Sequence, residues 1–255
     1  TVLSDDLADN IEAKLGDNRP ERVRVIPNFV DTERVHPMPR QTPYREEYDL
    51  GDATVVMYAG NVGMSQSLDL VVEAARRFST RDDVLFVING GGSAQQQLMA
   101  SAADLDNLTF VEMQPRERLP ELLASADLHV IPLRRGLARS SVPSKLYSIL
   151  AAARPVVASV DEGTEVARTI EAAEAGIAVA PEDPDAFCSA LAELLDDPSG
   201  RERMGRSGRE FVEEWVSPAA VAAAYERLFE DVRAGGLHLS SPAHGHSGSR
   251  SRTRA

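Results

Sequence analysis

The feature that most constrains this chain is an alternation of short apolar, β-branched runs with longer stretches of helical periodicity. Six runs stand out: "TVVMYAG" (54–60), "VLFVING" (84–90), "LTFVEM" (108–113), "LHVIPL" (128–133), "PVVASV" (155–160) and "GIAVA" (176–180). They recur at intervals of 20 to 30 residues. Between the first two, Leu68, Val71, Val72, Ala75 and Phe78 repeat with the spacing of one helix face. "RERLPELLASA" and "TEVARTIEAAEA" fill later gaps in the same way. Strand and helix taking turns specify β-α-β units, hence an α/β, Rossmann-like parallel sheet with helices on both faces. The runs are apolar throughout, as burial on both faces requires.

The flanks of that core set the expected organisation. Residues 1–50 read as the end of a preceding lobe followed by a Pro-rich interlobe linker, with "RVRVIPNFVDTERVHP" as its last apolar strand. "TVLSDDLADNIEAKLG" reads as a strand running into a helix, so the chain enters mid-fold and the expectation is a piece of a longer protein. The ligand-binding domain spans 51–234, closing with helices at about 183–197, 200–215 and 218–234. The first of these has Asp183 or Asp185 available as its N-cap. Residues 235–255, rich in Gly, Ser, His and Arg, read as a disordered tail.

Composition excludes several classes of function. A formal net charge of −13 over 255 residues argues against a nucleic-acid partner, which needs a basic face. No apolar run approaches the roughly 18 residues that span a bilayer, and no signal peptide opens the chain. Cys188 is the single cysteine, which points to a reducing, cytoplasmic setting. It lies on the apolar stripe of Phe187, Leu191, Leu194 and Leu195 and reads as a core thiol.

Ligands of open parallel sheets bind beyond the carboxyl ends of the strands, so the loops there are the candidate site. In "AGNVGMSQS", Gly60 and Gly63 let the backbone approach a ligand just before a helix whose amides suit a phosphate, although strand-helix turns need glycine on their own account. "NGGGSAQQQL" offers Gly90, Gly91 and Gly92, again either a bare cradle or a flexible turn. Gln114 and the backbone near it, in "EMQPRERLP", could meet a base edge. "PLRRGLARSSVPSKL" places Arg134, Arg135, Arg139 and Lys145 within twelve positions with no acid between them, and Ser144 can cap a helix there. A helix start combined with a cation is a common diphosphate cradle. Neither the dinucleotide fingerprint nor a phosphate-loop lysine motif occurs.

Together, "VRVIPNFVD", "MYAGNVGMSQSLDLVVEAA", "LFVINGGGSAQQQL", "LTFVEMQPRERLPELLASADLHVIPL", "VPSKLYSILAAARPVVAS" and "ERMGRSGREFVEEW" resemble, in order, family 4 glycosyltransferases of the GT-B fold. The nearest likeness is to the colanic-acid and amino-sugar transferases of cell-surface polysaccharide synthesis. The resemblance implies a C-terminal, nucleotide-sugar-binding lobe, with the last part of the N-terminal lobe in residues 1–30. It places Gly60, Asn61 and Gly63 beside the donor diphosphate and Gly90 to Gly92 along the nucleotide. It sets the backbone at Gln114 against the base, and Ser144 and Lys145 on phosphate. The last helix would cross back toward the N-terminal lobe.

The family also implies retention at the anomeric carbon, no metal or other cofactor, and a lipid-linked or glycan acceptor held by the other lobe. That acceptor brings the expectation of peripheral contact with the inner membrane face. The chain departs from the family's usual pattern at four positions. An Arg and a Lys of the first loop are replaced by Asn61 and Gln66, and two donor-contacting glutamates by Ser140 and Ser148. On this reading Lys145, Arg134, Arg135 and Arg139 take over charge neutralisation. The rival reading is a catalytically silent nucleotide-sugar-binding module or partner subunit. A nucleotide-sugar epimerase is a third, opposed by the missing fingerprint and the lack of a Tyr-x-x-x-Lys pair.

Overall fold

The computed structural model describes residues 1–15, 23–137 and 144–234. Its sheet holds, in chain order, β1 (Thr54–Ala59), β2 (Val84–Asn89), β3 (Leu108–Val111), β4 (Leu128–Pro132), β5 (Val156–Ser159) and β6 (Gly176–Val179). All pairings are parallel, and the spatial order is β3-β2-β1-β4-β5-β6. Every strand found is one of the six apolar runs. Each ends a residue or more earlier than its run, because the terminal residues have already turned away into the loops.

Alternate residues of each strand feed two separate cores. Val55, Met57, Val87, Ile131, Val156 and Ala158 face one side, and Val56, Tyr58, Phe86, Ile88, Val130 and Val157 the other. The first side is covered by α5 (Leu119–Ser125), α6 (Ser144–Ala151), α7 (Glu165–Ala172) and α9 (Pro198–Trp215). The second is covered by α3 (Asp69–Arg77), α4 (Gln95–Ser101) and α8 (Pro184–Asp196). Asp183 caps α8, accepting from the amides of Asp185 and Ala186 at 3.1 and 2.9 Å. Cys188 is buried on the inner face of that helix, where burial raises its thiol pKa, as the core reading expects.

The chain outside the sheet is more tightly docked than its composition suggests. Residues 1–15 carry α1 (Asp5–Leu15), preceded by a parallel bridge between Val2 and Val25. Asp6 accepts from the Glu165 amide at 3.1 Å, so α1 supplies an acid to the positive end of α7. The stretch read as a linker contains a helical turn, α2 (Pro43–Glu47), started by Thr42 and Pro43. Val30, Val35, Tyr44 and Leu50 enter the core beside it. Asp127, just before β4, binds Arg40 at 3.0 Å and the Val55 amide at 2.8 Å, and lies 3.6 Å from Arg45. Arg45 is 1% exposed and also donates to the Ala53 carbonyl. Arg154 and Arg209 donate to the carbonyls of Met38, Thr32 and Val35. Prolines in this stretch limit its own hydrogen bonding, and arginines from elsewhere take up its carbonyls.

The last helix, α10 (Pro218–Arg233), is capped by Ser217 and packs on α9. It lies beside the start of the chain, with Thr1 Oγ1 3.4 Å from the Tyr225 hydroxyl. No helix among the described residues is long and apolar enough to cross a membrane. The tail expected over 235–255 lies outside the described residues.

Candidate functional site

In this strand order β1 and β4 are neighbours whose connections leave in opposite directions, which opens a crevice above their carboxyl ends. Three loops meet there. The loop after β1 and the loop after β2 are locked together: the Gly60 amide donates to Asn89 at 2.9 Å and the Val62 amide to Gly91 at 3.0 Å. The Ala94 amide returns a bond to the Val62 carbonyl at 3.0 Å. Contact is so close that a Cβ at Gly90 would stand 1.8 Å from the Gly60 carbonyl oxygen, and one at Gly92 2.3 Å from that of Val62. These glycines are therefore required by loop-on-loop packing. A Cβ at Gly63 would meet the Asn61 side chain at 2.6 Å. Among the described residues the amides of Asn61, Gly63 and Met64 donate to no protein group, so the β1 loop keeps unused donors.

The β4 loop is tied to its neighbours by Arg134 and Arg135. Arg134 donates to the Met64 carbonyl at 2.8 Å and pairs with Glu182 at 3.3 Å and Asp69 at 3.5 Å. Arg135 donates to the Pro181 carbonyl at 3.0 Å and lies 4.0 Å from Glu182. Glu182 is held in the left-handed region, with φ of 59°, while it meets both. The two arginines thus brace the loops after β1, β4 and β6, and Glu182 and Asp69 match their charge. Arg139 and Ser140 fall outside the described residues.

Lys145 differs. It sits in the first turn of α6 and reaches back over β1, where a Cβ on Gly60 would be 3.0 Å from its Nζ. Its ammonium donates to the Tyr58 hydroxyl at 3.2 Å and lies 4.3 Å from the centre of that ring. No carboxylate of the described residues pairs with it. Burial without a counter-charge lowers its pKa from the ordinary 10.5 to about 8. Ser144 is exposed at the start of α6, and Ser148 is half-buried one turn on from Lys145. The crevice therefore combines a helix N-terminus, unused amides and an unneutralised cation, the equipment of a polyanion cradle.

Gln66 bridges to Leu133, and among the described residues its buried Oε1 has no partner. Gln114 lies after β3, but its side chain is spent: Nε2 donates to the Tyr48 hydroxyl and the Glu112 carbonyl, both at 3.1 Å, and Oε1 accepts from Arg118 at 2.9 Å. Any ligand contact at Gln114 falls to the backbone. His129 is fully buried in β4, where its Nε2 meets the Leu123 carbonyl at 3.0 Å. Burial lowers its pKa to about 4, so it is a neutral strand residue. A cleft of about 490 Å³ lies apart from the crevice, along the outer face of α3. Asp69, Glu73, Glu182 and Arg76 line it, and each of them is already in an ion pair, with Arg134, Arg77, Arg134 and Asp104 respectively.

The sequence profile of the family described as Glycosyl transferases group 1 matches residues 53–197, more than half of the chain. The chain belongs to that family. Its six-stranded parallel sheet and flanking helices match the Rossmann-like lobe of a GT-B glycosyltransferase. The putative colanic acid biosynthesis glycosyl transferase WcaI of Escherichia coli (strain K12) is 34% identical over 59% of this chain and 38% of its own length. The GDP-mannose-dependent alpha-(1-6)-phosphatidylinositol monomannoside mannosyltransferase of Mycolicibacterium smegmatis is 31% identical over 72% of this chain and 50% of its own. The chain thus spans about half, or less, of the length of these relatives. Among solved structures, the C-terminal domain of the group 1 glycosyl transferase LpcC from Francisella tularensis is similar with a TM-score of 0.62 at 16% identity. That match covers 74% of this chain and 99% of the other, and it shows the shared fold.

Within this group 1 glycosyl transferase lobe, the structure brings Gly60, Asn61, Gly63, Gly90 to Gly92 and Lys145 to one crevice. Sequence reasoning missed Tyr58. The available signal was a phenol in a fully buried strand, where a hydroxyl must find partners.

Proposed function

We propose that this chain is the donor-binding lobe of a retaining glycosyltransferase that passes a sugar from a nucleoside-diphosphate sugar to a lipid-linked or glycan acceptor. The observation that carries the reading is Lys145: a cation with no carboxylate partner among the described residues, packed against the Gly60 loop at the switch point of the sheet. The relatives' names support the substrate class, one being a colanic acid enzyme and the other GDP-mannose-dependent. As the glycosidic bond to the donor breaks, the departing nucleoside diphosphate gains negative charge. Lys145 and the amides of Asn61, Gly63 and the first turn of α6 would stabilise that charge from fixed positions. On this reading Gly90 to Gly92 flank the nucleotide and the backbone at Gln114 meets the base. A separate lobe supplies the acceptor site, no metal is needed, and the enzyme works in cell-surface polysaccharide synthesis at the cytoplasmic membrane face.

Calorimetric titration of the chain with UDP, GDP and ADP, without metal and then with Mg²⁺, tests this. Saturable, metal-independent binding of one nucleotide is expected, and Lys145→Ala weakens it by at least about three-fold. Equal binding by Lys145→Ala removes the lysine from the reading. A second reading, a catalytically silent binding module, is favoured by the neutral Asn61, Gln66 and Ser148 at positions where the resemblance implies charge. Sugar turnover by a version of the protein with both lobes excludes it.

A further inference from the structure

We propose that Tyr58 is the positioning residue of this site, fixing Lys145 and the β1 loop in one geometry for the diphosphate. The inference rests on the donor-lobe reading above. Tyr58 is the penultimate residue of β1 and is fully buried. Its hydroxyl has one proton, and it donates that proton to the Asn61 carbonyl at 2.6 Å. The remaining lone pairs face Lys145, whose Nζ donates at 3.2 Å. One side chain therefore bridges two elements far apart in sequence, the Gly60–Gly63 loop and the first turn of α6. Gly60 completes the arrangement, since a Cβ there would crowd Nζ at 3.0 Å and the phenol oxygen at 3.5 Å.

The choice of a phenol has a chemical reason. A carboxylate would hold the ammonium more firmly but would neutralise it and compete with the ligand. Tyr58 is neutral, because burial keeps its hydroxyl well above the usual range for ionisation. Its oxygen and ring face orient the cation while leaving its full charge directed at the crevice. Bonding the Asn61 carbonyl also fixes the peptide that precedes the Val62–Gly91 bond, and so the orientation of the unused amides beside it.

The test is a double-mutant cycle in the full chain with Tyr58→Phe, Lys145→Met and both together. UDP, GDP and ADP are titrated against each variant, with the matching nucleosides as competitors. Tyr58→Phe keeps the ring and the strand packing while removing only the hydroxyl. The expected result is a loss of about five-fold in diphosphate affinity with nucleoside affinity unchanged, and a clearly smaller loss from Tyr58→Phe once Lys145 is Met, the remainder being the share carried by the β1 loop. A purely structural tyrosine would weaken nucleoside and diphosphate alike and would add its effect to that of Lys145→Met; that pattern overturns the inference. So does wild-type affinity in Tyr58→Phe. Failure of the wild type to bind any of the three diphosphates overturns the donor-lobe reading itself, and the inference with it.

Discussion

Replacing Lys145 with Met should make the free protein more stable while disabling its site. The amine is held at about 8 against an ordinary 10.5. Each unit of pKa corresponds to about 1.4 kcal/mol, so at pH 7 the folded state carries a strain on the order of 3 kcal/mol. Methionine keeps most of the stem's packing but forfeits the bond to the Tyr58 hydroxyl and the contact with its ring, together about 1 to 2 kcal/mol. The net gain is about 1 to 2 kcal/mol, or roughly 2 to 8 °C in Tm for a domain of this size. The sign of the pH dependence is fixed. Between pH 8 and 10.5 the unfolded chain binds more protons at this lysine than the folded one, so its penalty fades as pH rises through that window. Thermal melts of wild type and Lys145→Met at pH 7 and pH 10 should show an advantage that shrinks at the higher pH. A less stable Lys145→Met at pH 7, or a gap that does not change with pH, refutes the argument that the cation is held at a cost.

Three other substitutions probe the frame around it. Gly90→Ala puts a methyl group 1.8 Å from the Gly60 carbonyl oxygen. It should cost on the order of 2 to 4 kcal/mol in chemical denaturation and abolish nucleotide binding, because the two loops must part. Asp127→Ala strips the carboxylate from Arg40, Arg45 and the Val55 amide and leaves Arg45 buried without a counter-charge. A loss of about 3 to 5 kcal/mol is expected in urea melts, and a loss below 1 kcal/mol would contradict the assigned role. His129→Gln should flatten the acid side of the stability profile. The folded imidazole, with its pKa near 4, resists a proton that the unfolded one takes at about 6.5, so wild-type stability falls between those pH values by up to about 3 kcal/mol. Equal slopes for wild type and variant below pH 6.5 would exclude His129 as the cause.

What was legible in the sequence was whatever depends on local pattern. Continuous Val, Ile and Leu runs mark strands buried on both faces, and each of the six runs is a strand of the sheet. Gly60, Gly63 and the Gly90–Gly92 run mark loops at carboxyl ends, and Lys145 follows from a helix start. What was not legible depends on contacts between distant positions. Arg134 and Arg135 read as free cations because no acid lies near them in sequence, yet Glu182, nearly fifty positions on, folds back to meet both. The sequence does not show that the Gln114 side chain is bonded to Tyr48 and Arg118, which leaves its backbone for any ligand contact. The prolines of residues 30–50 give no sign that Val30, Val35, Tyr44 and Leu50 dock into the core. The acid that pins that stretch, Asp127, lies 82 positions downstream of Arg45.

The interlocking of the β1 and β2 loops also constrains how such a lobe can diversify. Gly90 packs on the Gly60 carbonyl and Gly92 on that of Val62, so the β2 loop cannot accept a side chain at either glycine unless the β1 loop retreats. Inheritance of the two loops is consequently coupled, and a lineage that alters one alone loses both. Ligand preference is freer to change at the exposed Ser144, where α6 starts, while the glycine-built wall stays fixed.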